Sequence, residues 1–199
     1  QGHDHLNGSY GAAVAIAQAG PRPDAFAGFT PGNRAAGFAD VINAQVTVPH
    51  QAALDITGAL SLEAWVKLDK LPEVSGNAGI VAKYQGAGSN RSYQLYVEGQ
   101  TGTHALCMIV SSDGTLTNAA AILDDEPLTA GEWLHLVGVF KPGEALSLYI
   151  NGALAQERTD DLPAAVHSST APLWIGAQFD LNNPGNHFPG TIDEVAVYD

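Results

Sequence analysis

The sequence predicts an antiparallel β-sandwich formed as one domain over residues 1–199. Three observations predict it. Short segments with alternating or continuous apolar patterning recur along the whole chain, separated by Gly, Pro, Asn and Asp. Helical patterning is nearly absent. An Asn151-Gly152 pair stands between two extended runs, the strongest short hairpin signal, because both positions tolerate positive φ.

The elements follow in chain order. Residues 11–28 are rich in Ala, Gly and Pro and predict no definite element. Residues 37–38 and 45–48 read as strands bounded by Pro31-Gly32 and Pro49, and 49–54 suits one helical turn. Over 61–68, Leu62, Ala64, Val66 and Leu68 alternate with Ser61, Glu63, Trp65 and Lys67, so one face is apolar and the other sets a tryptophan among charges. Residues 73–82 carry Gly76 and Gly79 against any helix. Tyr93, Leu95 and Val97 alternate with Gln94, Tyr96 and Glu98, and 105–110 is an apolar run of buried-strand length. Residues 119–126 predict no more than a turn. Residues 133–140 are apolar on both faces, which puts Trp133 in the core, and Trp174 is assigned there likewise. Leu146, Leu148 and Ile150 alternate with Ser147 and Tyr149 before the Asn-Gly turn, and 153–158 returns. Residues 173–177 and 192–198 supply the last two strands.

Composition narrows the function. Eight Lys+Arg against 21 Asp+Glu leave a formal charge of −13, which excludes a polyanion-binding basic face. Hydrophobic residues at 45% exclude disorder, and no apolar run reaches the about 20 residues of a membrane span. A chain of this length buries roughly 70% of its unfolded surface and needs no staple. None is available, since Cys107 is the only cysteine; inside an apolar run it reads as a small buried residue, not a nucleophile. The polar start, Gln1-Gly2-His3-Asp4-His5, reads as a cut edge, and the acidic surface suits a calcium-containing exterior.

Six motifs in order carry a family resemblance. They are Phe38-Ala39-Asp40 with Val46-Thr47-Val48-Pro49; Leu62-Glu63-Ala64-Trp65-Val66-Lys67; Gly131-Glu132-Trp133-Leu134-His135-Leu136-Val137; Leu148-Tyr149-Ile150-Asn151-Gly152; Trp174-Ile175-Gly176; and 190–198, Gly-Thr-Ile-Asp-Glu-Val-Ala-Val-Tyr. With these the chain resembles the laminin G-like (LamG-like) jelly rolls of the concanavalin A-like lectin/glucanase superfamily. Two departures stand out: the chain is expected to start just after the family's usual aromatic-rich first strand, either trimmed or lacking in this copy, and Val41 replaces a preferred Gly. The resemblance implies a concanavalin A-like jelly roll and a structural calcium (Ca2+) site. The matching acid is Asp193, helped by carbonyls from the N-terminal segment and by Asp40 in the entry loop. Read on its own strand, Asp193 shares a face with Val195 and Val197, where a bare charge must be neutralised, hydrogen-bonded or metal-bound. The alternative is that it caps the turn after Gly190-Thr191 through backbone N–H groups.

Ligand candidates lie mainly in two loops. Residues 178–189 carry Asn182, Asn183, Asn186, His187 and Phe188; residues 84–92 carry Tyr84 and Arg91. Amides beside aromatic rings are what a sugar needs, hydrogen bonds plus a stacking platform, although Asn, Gly and Pro also fill ordinary turns. Trp65 is a further candidate platform, or a core residue if both faces of its strand are covered. His135 reads as a core or interface histidine. Glucanases on this fold pair carboxylates on one strand, as a retaining mechanism requires. Here Asp124-Asp125-Glu126 diverge before Pro127, Asp160-Asp161 read as a turn, and Asp193-Glu194 point to opposite faces. The expectation is therefore a non-catalytic, calcium-stabilised carbohydrate-binding module. It would be secreted or on a bacterial cell surface, monomeric, part of a larger protein, and bind a glycan or cell-surface protein but no nucleic acid. The alternatives are an adhesion or spacer module that binds protein, and a degenerate glycoside hydrolase or lyase.

Overall fold

The computed structural model describes residues 6–23, 25–73, 76–179 and 184–199. The strands are β1 (Ser9–Tyr10), β2 (Ala15–Ala19), β3 (Arg34–Phe38), β4 (Val46–Val48), β5 (Leu60–Leu68), β6 (Ala78–Gln85), β7 (Asn90–Val97), β8 (Ala105–Ser111), β9 (Ala119–Pro127), β10 (Trp133–Lys141), β11 (Ala145–Ile150), β12 (Ala153–Arg158), β13 (Leu173–Ile175), β14 (Gln178–Phe179), β15 (Pro184–Gly185) and β16 (Gly190–Tyr198). One 3-10 turn spans Ala52–Leu54. Two sheets form the sandwich. The nine-stranded sheet runs β1-β4-β13-β6-β7-β8-β9, with β14 beside β6 and β15 beside β14; the seven-stranded sheet runs β12-β11-β10-β5-β16-β3-β2. The fold is the all-β antiparallel sandwich that the patterning predicts, consistent with the jelly roll that the resemblance implies.

Alternation positions the side chains. In β5, residues 60, 62, 64, 66 and 68 are buried while Glu63, Trp65 and Lys67 line the outer face. Leu62, Val66, Leu95, Met108, Leu136 and Leu148 meet between the sheets. Gly138 permits close approach of the layers: a β-carbon there would lie 2.5 Å from Met108 Sδ. The Asn151-Gly152 hairpin forms with both residues at positive φ, 52° and 80°. Cys107 is buried, and burial pushes its thiol up to about 12, so it stays a thiol.

Several expectations change. Residues 78–85 and 119–127 are strands, because β6 and β9 gain ladder partners that their Gly- and Ala-rich sequences do not advertise. Trp133 pairs with Lys67 and is half-buried on an outer face, since β10 alternates rather than burying both sides. Trp174 is buried, 4% exposed, yet lies opposite Ala82 on the outer face of the nine-stranded sheet rather than between the sheets.

A loop from β2 to β3 covers the outer face of the seven-stranded sheet. The rings of Phe26 and Phe29 meet Trp65 edge-on at 5.0 and 5.2 Å, and His135 stacks on Trp65 at 5.0 Å. His135 Nε2 lies 2.6 Å from Glu63 Oε1, and Tyr198 donates its hydroxyl to Glu63 Oε2 at 2.9 Å. At the opposite end, Lys83 Nζ is fully buried and donates to the Ala171 carbonyl at 2.8 Å, with Asp55 Oδ1 at 3.5 Å and His50 Nδ1 at 3.2 Å. Burial pulls that ammonium's pKa down, partly offset by Asp55.

Candidate functional site

Inward placement of Tyr93, Leu95 and Val97 sends Gln94 and Tyr96 of β7 to the outer face of the nine-stranded sheet. Gln94 pairs with Ala82 and Ile109, and Tyr96 with Gly79 and Cys107. A register shift in β6 brings Tyr84 opposite Arg91, whose guanidinium carbon sits 5.5 Å from the Tyr84 ring centre. Gln94, Tyr96, Tyr84 and Arg91 line a hollow of about 150 Å³. Its walls hold the amides of Asn77, Gln94, Gln100 and Gln178, the phenols of Tyr84 and Tyr96, the cation of Arg91, and the apolar Ile109 and Leu116. Gln94 Nε2 donates to Gln178 Oε1. Burial, followed by the neighbouring Cys107, raises the pKa of Tyr96, so its hydroxyl stays protonated as donor and acceptor. On the same face Trp174 stacks on Phe179 at 4.7 Å and 14°.

This inventory suits a polyhydroxylated ligand. Amides give and take hydrogen bonds from hydroxyls, and the phenol rings offer apolar faces. Among the described residues, the hollow's lining contains no Asp or Glu. A larger cleft of about 350 Å³ opens between the sheet edges, lined by Tyr10, Ile16, Phe38, Val46, Ile175 and Ile192, with Arg34, Asp193 and Glu194. No amide side chain is among the described residues that line it, so the smaller hollow is the better match to a sugar.

Asp193 sits at a bulge. Glu194 has φ 46°, and the register against β5 shifts between Asp193 and Ala196. Asp193 therefore pairs with Trp65 on the outer face, while Val195 and Val197 pack on the core; the three do not share a face, as alternation alone would have them. Asp193 Oδ2 accepts from Asn33 Nδ2 at 2.6 Å, and Oδ1 from the Glu194 N–H at 3.0 Å. Asn33 Nδ2 also donates to the Pro21 carbonyl at 3.3 Å. Carboxylate, amide and carbonyl are the all-oxygen donors a calcium ion takes, once the amide turns its oxygen inward. The residues fit in kind, with water needed to complete six to eight oxygens. Asp40 does not belong to this cluster. It lies 3.8 Å from Lys70 Nζ, and five residues separate it from Ala35, the neighbour of the Ala36 that faces Ile192. β3 ends at Phe38, opposite Gly190, so Asp40 lies past the end of β3 that is away from Asp193. Among the described residues no three His, Cys, Asp or Glu side chains gather to hold a metal.

The Laminin_G_3 family model, concanavalin A-like lectin/glucanases superfamily, matches residues 40–199. The chain belongs to this family. Solved structures similar to the chain include the binding domain of Paraclostridial Mosquitocidal Protein 1, with TM-score 0.68 and 13% identity, over 98% of this chain and 44% of that one. Domain 4 of AbnA, a GH43 extracellular arabinanase from Geobacillus stearothermophilus, in complex with arabinotriose, matches with TM-score 0.64 and 18% identity, over 95% and 76%. The botulinum neurotoxin serotype G binding domain matches with TM-score 0.66 and 12% identity, over 98% and 44%. The chain thus spans under half the length of the two toxin binding domains. No curated protein sequence matches it.

The structure brings Tyr84 and Arg91 together in the hollow and sets Asn186 next to it, where Asn186 Oδ1 accepts from the Asn77 N–H at 3.3 Å. Asn182 and Asn183 lie outside the described residues. Phe188 is 0% exposed and packs in the core, and His187 is 6% exposed. Neither offers the open ring expected of a platform, because Phe188 sits where β16 enters the sandwich. Trp65 lies on the opposite sheet beneath Phe26 and Phe29, so it cannot join this site. Reading the loops missed Asn77, Gln94, Tyr96 and Gln100. The signal was present in β7, whose outward positions pair an amide with a phenol.

Proposed function

We propose that this domain is a non-catalytic carbohydrate-binding module that docks a glycan on the outer face of its nine-stranded sheet, at the hollow between β6, β7 and β14. The observation that carries this is the convergence of four amides and two phenols on one open face, with no carboxylate among the described residues that line it. The arabinotriose complex of the AbnA domain, which shares the fold, supports a sugar as ligand. The extracellular setting of that arabinanase supports a secreted or cell-surface role, and no described helix is long and apolar enough to cross a membrane. We place a structural calcium ion at Asp193, Asn33 and the Pro21 carbonyl, where it would tie the β2–β3 loop to the last strand.

A glycan array followed by calorimetry tests the site. Tyr96→Ala is expected to weaken binding of any sugar found by about tenfold or more, the loss of one ring contact and its hydroxyl bonds. Tyr96→Ala binding as tightly as the parent would remove the hollow as the site. An array blank for the parent protein in calcium would remove the carbohydrate reading itself.

A further inference from the structure

We propose that Arg91 makes the hollow selective for sugars bearing a carboxylate, a uronic acid or similar anionic sugar, rather than for neutral sugars; this rests on the carbohydrate reading above. Arg91 is the only cation among the described residues lining the hollow. Among the described residues its guanidinium meets no carboxylate and no hydrogen-bond acceptor, and it lies over the Tyr84 ring. Nε is buried without a partner, a donor whose desolvation nothing in the described protein repays. The other described arginine with side-chain bonds, Arg158, shows the contrast: it donates to the carbonyls of Ala121, Asp160 and Asp161.

A guanidinium is a planar fork matched to a carboxylate, and the two-point bond is stronger and more directional than one to a hydroxyl. The Tyr84 ring beneath it fixes the plane of the fork and keeps it on the outer face. The nearest buried acid in sequence, Glu98, does not compete. Its carboxylate accepts from the Thr101 N–H and the Thr101 and Thr103 hydroxyls at 2.7 to 2.8 Å. The domain's net charge of −13 disfavours anions in general. It acts over the whole surface and is screened beyond about 8 Å at physiological salt, whereas the Arg91 contact is made at hydrogen-bond distance. The remaining amides then read the hydroxyls of the same sugar.

The test is calorimetry of the intact domain with trimers of galacturonate, glucuronate and mannuronate, each against its carboxyl-reduced, neutral counterpart. At least one uronate trimer is expected to bind about tenfold or more tighter than its reduced form, and Arg91→Gln is expected to bring that ratio toward one, with Arg91→Lys retaining part of it. The parent-protein comparison needs no variant, so a poorly folded Arg91→Gln leaves it decisive. Equal or tighter binding of the reduced trimers overturns this inference while leaving the carbohydrate reading in place, as does a uronate preference that survives in folded Arg91→Gln. Binding of no sugar on a broader glycan array overturns both.

Discussion

Trp65 illustrates how a single side chain changes meaning once its neighbours are known. Among Glu63 and Lys67 on a half-polar face it resembles a sugar platform; in the structure Phe26 and Phe29 abut it and His135 stacks on it. Its role is to hold the β2–β3 loop down. Trp65→Ala is expected to cost about 3 kcal/mol, the usual loss for removing a large packed aromatic. For a domain of this size that is a fall in Tm of about 6–12 °C, read by calorimetry. Glycan binding should be unchanged in the folded variant, because the hollow is on the other sheet. A loss of binding with no loss of stability would return Trp65 to the ligand site.

At the scale of elements, turns are held by carboxylates as much as by glycines. In the β8–β9 turn, Asp113 accepts from Asn118 Nδ2 at 2.6 Å and from the Thr115 N–H and hydroxyl at 2.9 and 2.7 Å. The Asn118 bond, then those from Thr115, lower its pKa to about 2. In the turn after β7, burial pushes the Glu98 carboxyl up, but its bonds from Thr101 and Thr103 together outweigh that and lower it. A folded pKa below the unfolded value of about 3.9 means Asp113 stabilises fully above that pH and loses its contribution as pH falls toward 2. Melting curves from pH 5 to 2 should therefore decline, and Asp113→Asn should decline less steeply over the same range. An Asp113→Asn slope equal to the parent's would show that the turn is indifferent to its charge. The strands themselves were unevenly legible. β5, β11 and β12 advertise themselves by alternation and an Asn-Gly turn, whereas β6 and β9 carry Gly and Ala and become strands through their neighbours' ladders.

Across the whole molecule, the N-terminal loop, the last strand and the outer face of the seven-stranded sheet meet at Asp193, Asn33 and Pro21. A cation there would join parts 160 residues apart in sequence, the separation of the Asn33–Asp193 bond. Because such binding stabilises only the folded state, calcium at a hundredfold over its Kd is expected to raise Tm by about 5–10 °C. A chelator should reverse the rise, and Asp193→Ala should abolish the response. Melting curves insensitive to calcium, chelator and Asp193→Ala alike would end the calcium proposal and leave Asn33 as the partner that neutralises the acid.

Taken alone, the sequence determined the all-β class, most strand positions, the two-residue hairpin and the family likeness. These depend on local periodicity and on turn residues whose backbone preferences act within a few positions. It also marked Tyr84, Arg91 and Asp193 as residues of interest. Only the tertiary structure decided which of them meet. One bulge at Glu194 turned Asp193 away from Val195 and Val197, one register shift in β6 set Tyr84 against Arg91, and the chain carried Asp40 past the end of β3 that is away from Asp193. Register and sheet order are set by pairings between distant segments, and a one-residue slip moves a side chain to the opposite face. That is why chemistry on the open face of a sandwich is written in the pairing rather than in the string of residues.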